Sequence, residues 1–572
     1  MVMVALLAAL CAPGCKLGVL ELGRGGVQTG PEQGVDKGPD TPDMDAPDVP
    51  VVIMPPRVPM SGETPMRLLT RYEYDNTVRD VFGLDAQMAQ TFPSENLTNG
   101  FENNAWAHNV SPQLLRKYME ASEAIAARLI VERREALVPC AVGQESAACA
   151  EAAIDAVLPR AFRRPPTAEE TAIIKGVFTS SLATHGFNDA LAMALQAIMQ
   201  SPQFLYRLEL GEQTMGQMPG KPGEFELVGP YEMASRLSYF LWASPPDQAL
   251  LDAAAAGELA TPEQIEAQVE RMLADPRARA MSREFFRQWL NMDKITGLTK
   301  DTGTYPAYKA EMNEDLRISL YAFLEYAFWE QGTFEAFMTS PDVFYTTALA
   351  PLYGVPVPAE VGGGVFKVTE TGKRAGLLTQ PALLAALSNT YQSSPILRGI
   401  FVRERLLCQA VPPAPNNMAI KPPDPDPNAT TRERFKQHTE DPFCAGCHVL
   451  IDPLGFGLEN YDGVGAWRDM ENGLPVDASG TVALTPEESL NGDYNGGLEL
   501  ASRLAGSERV RGCMAEQWFQ FAMGRPSDAS DVPSMESIKQ AFGREGKWRD
   551  MLLAIALSDS FRYRKVAKEE TR

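Results

Sequence analysis

The pentapeptide Cys444-Ala445-Gly446-Cys447-His448 brings two thiols and an imidazole together in the C-x-x-C-H spacing by which a chain holds a c-type haem covalently. On one short helical turn the two sulfurs reach the two vinyl groups of one porphyrin, and His448 falls under the iron as its proximal ligand. Two other chemistries use the same atoms. Cys444 and Cys447 could close a small-loop disulfide with His448 incidental, or His438, Cys444, Cys447 and His448 could tie a zinc knot. Ligands at adjacent positions 447 and 448 close awkwardly on one tetrahedral ion, so the spacing favours one covalent haem c and, with it, electron transfer. Met470, Met514, Met523 and His438 are the candidates for the sixth iron position, methionine raising the reduction potential relative to histidine; an open sixth position is the other option.

A porphyrin needs apolar cover. Phe443, Leu454, Phe456, Leu458, Tyr461 and Trp467 supply it close in sequence, unless they build an ordinary core. Elsewhere Asp75, Asp80, Glu102 and Asp247 could furnish a carboxylate pair for glycoside cleavage, for which the separation between carboxyl groups is decisive. This gives a second reading, a haem-free surface protein that binds or processes polysaccharide on a Cys444–Cys447 disulfide scaffold. A zinc-stapled interaction module is the third. Arg163-Arg164, and Arg71 beside Glu73, read as ion pairs between helices rather than an anion site. His108 and His185 are lone histidines with structural roles, and no G-x-S-x-G, H-E-x-x-H or phosphate-binding glycine loop occurs.

Haem attachment takes place outside the cytoplasm, and the start of the chain fits export. Met1 to Leu10 is an apolar run too short to span a bilayer, followed by Ala12-Pro13-Gly14-Cys15, a small residue before a cysteine as at a lipoprotein cleavage site. Residues 1–15 are therefore expected to be a signal peptide, with Cys15 lipidated and the mature chain periplasmic or held at the cell surface. Residues 16–60 are rich in Gly, Pro and Asp without hydrophobic period, which predicts a disordered stalk. Cysteine arithmetic agrees with an oxidising compartment: Cys140 and Cys149 flank a loop that a disulfide could staple, and Cys408 and Cys513 remain to pair across domains. With 74 acidic against 52 basic residues the net charge is -22, which disfavours nucleic acid and suits a redox partner carrying a basic patch.

The elements that must position these groups are helices. Leu191, Leu195, Ile198 and Met199 share one face at the 3.6-residue period. Helix starts are predicted at Thr167 with Glu170, Thr261 with Gln264, and Thr485 with Glu488, each an N-cap hydroxyl with an acid or amide three residues on. Strand patterns are scarce, Gly364–Val368 being the best. The expected fold is mainly α, a multi-domain helical array with few short strands. Its units run over 61–132, 133–215, 222–356, 370–472, which bears the C-x-x-C-H, and 480–568.

Long motifs sharpen this reading. Arg67 to Asp80 (RLLTRYEYDNTVRD) with Gly100 to Asn104, then Ala161 to Pro165 with Ser201 to Arg207, and Ala234 to Trp242 with Gln288-Trp289-Leu290 follow one another along the chain. After them come Arg374 to Thr379, Arg398-Gly399, the C-x-x-C-H and Ile451 to Asp462 (IDPLGFGLENYD), and finally Ala522 to Arg525 near Cys513. In these motifs the chain resembles a family of large secreted bacterial proteins of unknown function, common in planctomycetes and myxobacteria. That family is a mosaic of uncharacterised domains that often accompany cytochrome-c modules. The resemblance covers nearly everything after the stalk and implies a redox setting, without assigning an activity.

Overall fold

Apolar periodicity near 3.6 along most of the chain demands helices that bury one stripe each, and the computed structural model is built from them. It describes residues 59–209, 225–357, 364–412, 422–440 and 442–565, with the side chains of 437–444 left outside. The leader, Cys15 and the stalk to 58 also lie outside the described residues. Among the described residues twenty-three α-helices stand against five two-stranded antiparallel pairs. The longest helix, Ala168–Gln200, buries Leu191, Leu195, Ile198 and Met199 along one face. Thr167 and Glu170 form a reciprocal capping box at its start, and Thr261 with Gln264 does the same for the helix Pro262–Leu273.

Two sequence expectations shift. Thr485 starts no α-helix: its hydroxyl turns to Asn491 and to the Glu487 carbonyl, and only a short 3-10 turn, Glu488–Leu490, follows. The Glu487 carboxylate serves another helix, accepting from Ser507 Oγ and the Arg509 amide at the start of Glu508–Met523, where it offsets the positive end of the helix. The expected strand at Gly364–Val368 is Phe366–Thr369, paired with Asp342–Tyr345.

All described residues belong to one compact body with two hydrophobic cores. The first joins the helices Arg71–Phe82, Pro112–Glu132, Ala147–Phe162 and Ala168–Gln200. The second runs from Val228 to Phe561, takes in Phe101 from the N-terminal part, and closes around Trp242, Trp289, Trp518 and Trp548. Phe285 stacks on Trp518 with centroids 3.7 Å apart. Disulfides join Cys140 to Cys149 and Cys408 to Cys513, the second tying the turn after Val402–Leu406 to the helix Glu508–Met523. No helix of the described residues is long and apolar enough to cross a membrane.

Between the cores lies a buried ionic seam. Glu209 accepts from Arg236 and faces Arg67 at 3.5 Å, while Arg207 pairs with Glu73 and lies over the Tyr239 ring. Arg236 also donates to the Phe561 carbonyl, and Arg564 to the Glu209 carbonyl. The final strand, Tyr563–Lys565, pairs with Phe225–Leu227, and the Gly62 amide donates to Asp531.

Candidate functional site

The C-x-x-C-H motif sits on the helix Pro442–Phe456, which packs against Pro395–Phe401, Thr431–Glu440 and the strand Ser479–Val482. Two glycines let the first pair of helices touch through their backbones. A Cβ on Gly399 would stand 2.0 Å from the Ile451 carbonyl oxygen, and one on Gly455 1.8 Å from that of Pro395. Gly455→Ala is therefore expected to cost about 1–3 kcal/mol as an overpacked contact that only backbone movement can relieve, read as a lowered urea midpoint.

The second half of the helix is clamped. Pro453 has no amide to give the carbonyl one turn back, and the Tyr494 hydroxyl donates to the Pro453 carbonyl at 2.8 Å. Arg403 reaches the Leu450 and Ala483 carbonyls. Arg398, with no exposed surface, donates to the carbonyls of Leu458 (2.6 Å), Tyr461 (2.8 Å) and Asp462 (2.8 Å) and pairs with Glu459 at 3.3 Å. Glu459 is held in turn by Ser393 and Arg468. The turn that follows the motif helix is thus fixed by a buried guanidinium fork, well suited to several oxygens at once.

On the motif itself Cys447 is a half-buried free thiol, and Gly446 and Val449 are exposed. His448 Nδ1 donates to both oxygens of Asp452, at 3.0 and 3.1 Å, one helical turn further on. Asp452 is fully buried. Its carboxylate holds the His448 imidazole above the ordinary histidine pKa, against the opposing effect of partial burial. With Nδ1 so engaged, any bond to a metal falls to Nε2, and a carboxylate behind the ring fixes its tautomer and raises its donor strength. Sequence reading missed Asp452, although its i,i+4 spacing from His448 on a helix was the available signal.

The other expected groups are dispersed. Met514 and Met523 are buried in the second core on the helix Glu508–Met523, and Met470 is 52 % exposed on the small hairpin with Leu474–Pro475. The side chains of His438 and Cys444, and with them half of a zinc set, lie outside the described residues; no group of three potential metal-binding side chains occurs among the described ones. Leu454, Leu458 and Tyr461, expected as apolar cover for a cofactor, are packed in the shared core, with Trp467 against it. Phe456 is buried beneath the Arg432 guanidinium, and Phe443 lies among the undescribed side chains.

Each acid singled out for glycoside chemistry is committed elsewhere. Asp75 accepts from the Ala89 amide, Asp80 pairs with Arg79 and Glu102 with Arg287. Asp247 caps the helix Gln248–Ala255 and takes Arg271. Arg163 donates to four main-chain carbonyls and to Tyr239, and Arg164 pairs with Glu170. Arg71 pairs with Glu95 rather than its neighbour Glu73, which caps its own helix at Thr70. His185 is exposed, and His108 lines a pocket in the first core region.

Five family models match successive stretches of the chain, each described as "Protein of unknown function". In chain order they are DUF1587 over 67–131, DUF1595 over 149–209, DUF1592 over 228–355, DUF1588 over 374–471 and DUF1585 over 492–561. The fourth, which contains the C-x-x-C-H, carries the short name PSCyt3. No curated protein and no solved structure matches the chain.

Proposed function

Since the chain belongs to the multi-domain family of unknown function assembled from these five domains, we propose that it is an exported c-type haem protein that passes electrons to or from an oxidoreductase. The observation that carries this reading is the His448–Asp452 pair: a buried carboxylate behind the one imidazole of the motif, on the same helix as the half-exposed Cys447 thiol. Such a carboxylate is the usual support of a ligating histidine. Two thiols and an imidazole in this spacing are the donor set that the group takes. Cys444 and Cys447 would hold it through thioether bonds and His448 would ligate iron, which supplies one-electron chemistry when bound.

This chain's own part is to orient and tune. Asp452 holds the Nδ1 proton and leaves the donor pair on Nε2; Arg398 and Arg403 keep the helix from shifting as charge changes. The sixth position belongs to Met470, Met514, Met523 or His438, or stays open. The two disulfides suit an oxidising compartment, and the net charge of -22 suits a partner with a basic patch. Anchoring through a lipid on Cys15 belongs to the same proposal.

The test is export of the full chain from cells with c-haem maturation machinery. Expected is a red product whose mass exceeds that of the processed polypeptide by one haem and whose colour survives acid-acetone extraction. Cys447→Ser and Cys444→Ser should each reduce or abolish covalent retention while leaving the helical circular dichroism intact. A colourless wild-type product of bare mass ends the proposal. In the loaded protein Asp452→Asn, which weakens the imidazole as a donor, should raise the reduction potential. A roughly tenfold change in the ratio of reduced to oxidised protein is expected, about 59 mV for one electron, read by spectroelectrochemical titration.

A further inference from the structure

The helices Pro276–Trp289 and Met312–Glu325, together with the first turn of Arg71–Phe82, enclose an open groove of about 460 Å³. That volume lies within the range of small-molecule sites, about 300–1,000 Å³. None of its lining residues belongs to the C-x-x-C-H unit or to the clamp on the motif helix. Two half-buried tyrosines, Tyr72 and Tyr321, line it, and Ile318 and Val365, 37 % and 40 % exposed, stand open in its walls. Arg317 lies over the Tyr321 ring at 5.3 Å and holds it in place.

The groove also carries two arginines and two glutamates, and all four are already paired. Arg283 Nε donates to Glu325 at 2.5 Å, Arg317 Nε donates to Glu314 at 2.8 Å, and Glu284 accepts from Arg287 at 2.7 and 2.8 Å. The walls therefore present fixed planar polar groups but no unpaired charge, which gives little hold on a strongly charged ligand. Burial first, and the Glu284 carboxylate after it, raises both phenols above the usual tyrosine range, Tyr321 up to about 12, so each keeps its hydroxyl proton at neutral pH. A flat aromatic ligand would strip water from these polar groups without replacing its hydrogen bonds, at a cost. A sugar ring meets both kinds of wall: its C–H faces carry the weak positive charge that a tyrosine π face attracts, and its hydroxyls donate and accept along the edge.

We propose that this groove binds a short neutral oligosaccharide, with sugar C–H faces packed against Tyr72, Ile318 and Val365 and sugar hydroxyls bonded to the Arg283–Glu325 pair and the Tyr321 hydroxyl. It is a binding site rather than a cleaving one, because Glu284 and Glu325 are tied to guanidinium groups and neither is free to supply the proton that glycoside cleavage needs. The site is independent of the haem reading and holds whether or not the motif is loaded.

The experiment is calorimetric titration of the full chain at neutral pH with cellotriose, xylotriose and mannotriose, and with trigalacturonate as the charged counterpart. Expected is saturable one-to-one binding of at least one neutral trisaccharide, with trigalacturonate at least about tenfold weaker than that one. Tyr72→Ala should weaken the neutral sugar about tenfold, the size of a lost aromatic contact. Because Tyr72 stands on a helix of the first core, a second variant leaves that helix alone: Val365→Trp, at an exposed position outside every helix and strand, should block the groove with the melting temperature near wild type. Failure of all three neutral sugars to bind the wild-type chain, equal or tighter binding of trigalacturonate, or wild-type affinity in either folded variant would each overturn the assignment.

Discussion

Glu209→Gln is expected to cost about 3–5 kcal/mol at neutral pH, because it leaves buried guanidinium groups facing one another without the carboxylate between them. Arg67 and Arg236 are 5 % and 1 % exposed, and both point at Glu209; Arg207 lies close by. Burial and the neighbouring Arg207 already pull the Arg67 pKa down to about 9. Burial alone would raise the Glu209 carboxyl, but Arg236, Arg67 and Arg207 overcome it and bring it down to about 2. The sign of the pH dependence follows. A carboxyl depressed in the folded state contributes stability that is present above its unfolded pKa, near 4.5, and is lost as pH falls from there through about 2. Urea unfolding at stepped pH should show wild type and variant far apart at pH 7 and converging between about 4.5 and 2. A constant gap across that window would remove Glu209 from the account of the seam.

Arg398→Met should be of similar size, about 3–5 kcal/mol, for a different reason. Here the lost group is a donor to three main-chain carbonyls and a partner of Glu459, all in the turn that ends the motif helix. Burial lowers the Arg398 pKa and the Glu459 carboxylate opposes this, so the guanidinium is held in place by its partners rather than by water. Arg398→Lys should recover only part of the loss, since a compact ammonium cannot span the same oxygens. Thermal melts of the haem-free chain measure the stability term. In loaded protein, a broadened or shifted haem absorption in Arg398→Met would show that the turn also positions His448.

Much of this molecule was legible in order of locality. The capping boxes at Thr167 and Thr261 depend on residues three apart, and the apolar face of Leu191, Leu195, Ile198 and Met199 on one helical period; both could be read directly. Thr485 has the same local signature, yet only a 3-10 turn follows, because its hydroxyl is taken by Asn491 and the Glu487 carbonyl, while the Glu487 carboxylate serves Glu508–Met523 some twenty residues later. The Arg71–Glu95 pair and the Arg236–Glu209 pair were invisible for the same reason: charge partners are chosen by the packed cores, across separations that no pattern rule covers. At the motif, Cys444, Cys447 and His448 announce themselves by spacing. Leu454, Leu458 and Tyr461 were ambiguous between cofactor cover and core because apolar character is common to both, and only packing decides for the core. Asp452 lay within reach of a helical reading but carried no meaning until its burial was known.

The pairing of Tyr563–Lys565 with Phe225–Leu227, with Arg236 on the Phe561 carbonyl and Gly62 on Asp531, sets a condition on how the chain comes to its native state. Arg236 is completed by a carbonyl 325 positions later and Gly62 by a carboxylate 469 positions later, so the second core cannot close until both stretches are present. Contacts between stretches so far apart in sequence make the closure of this core a late and slow event compared with the formation of its individual helices.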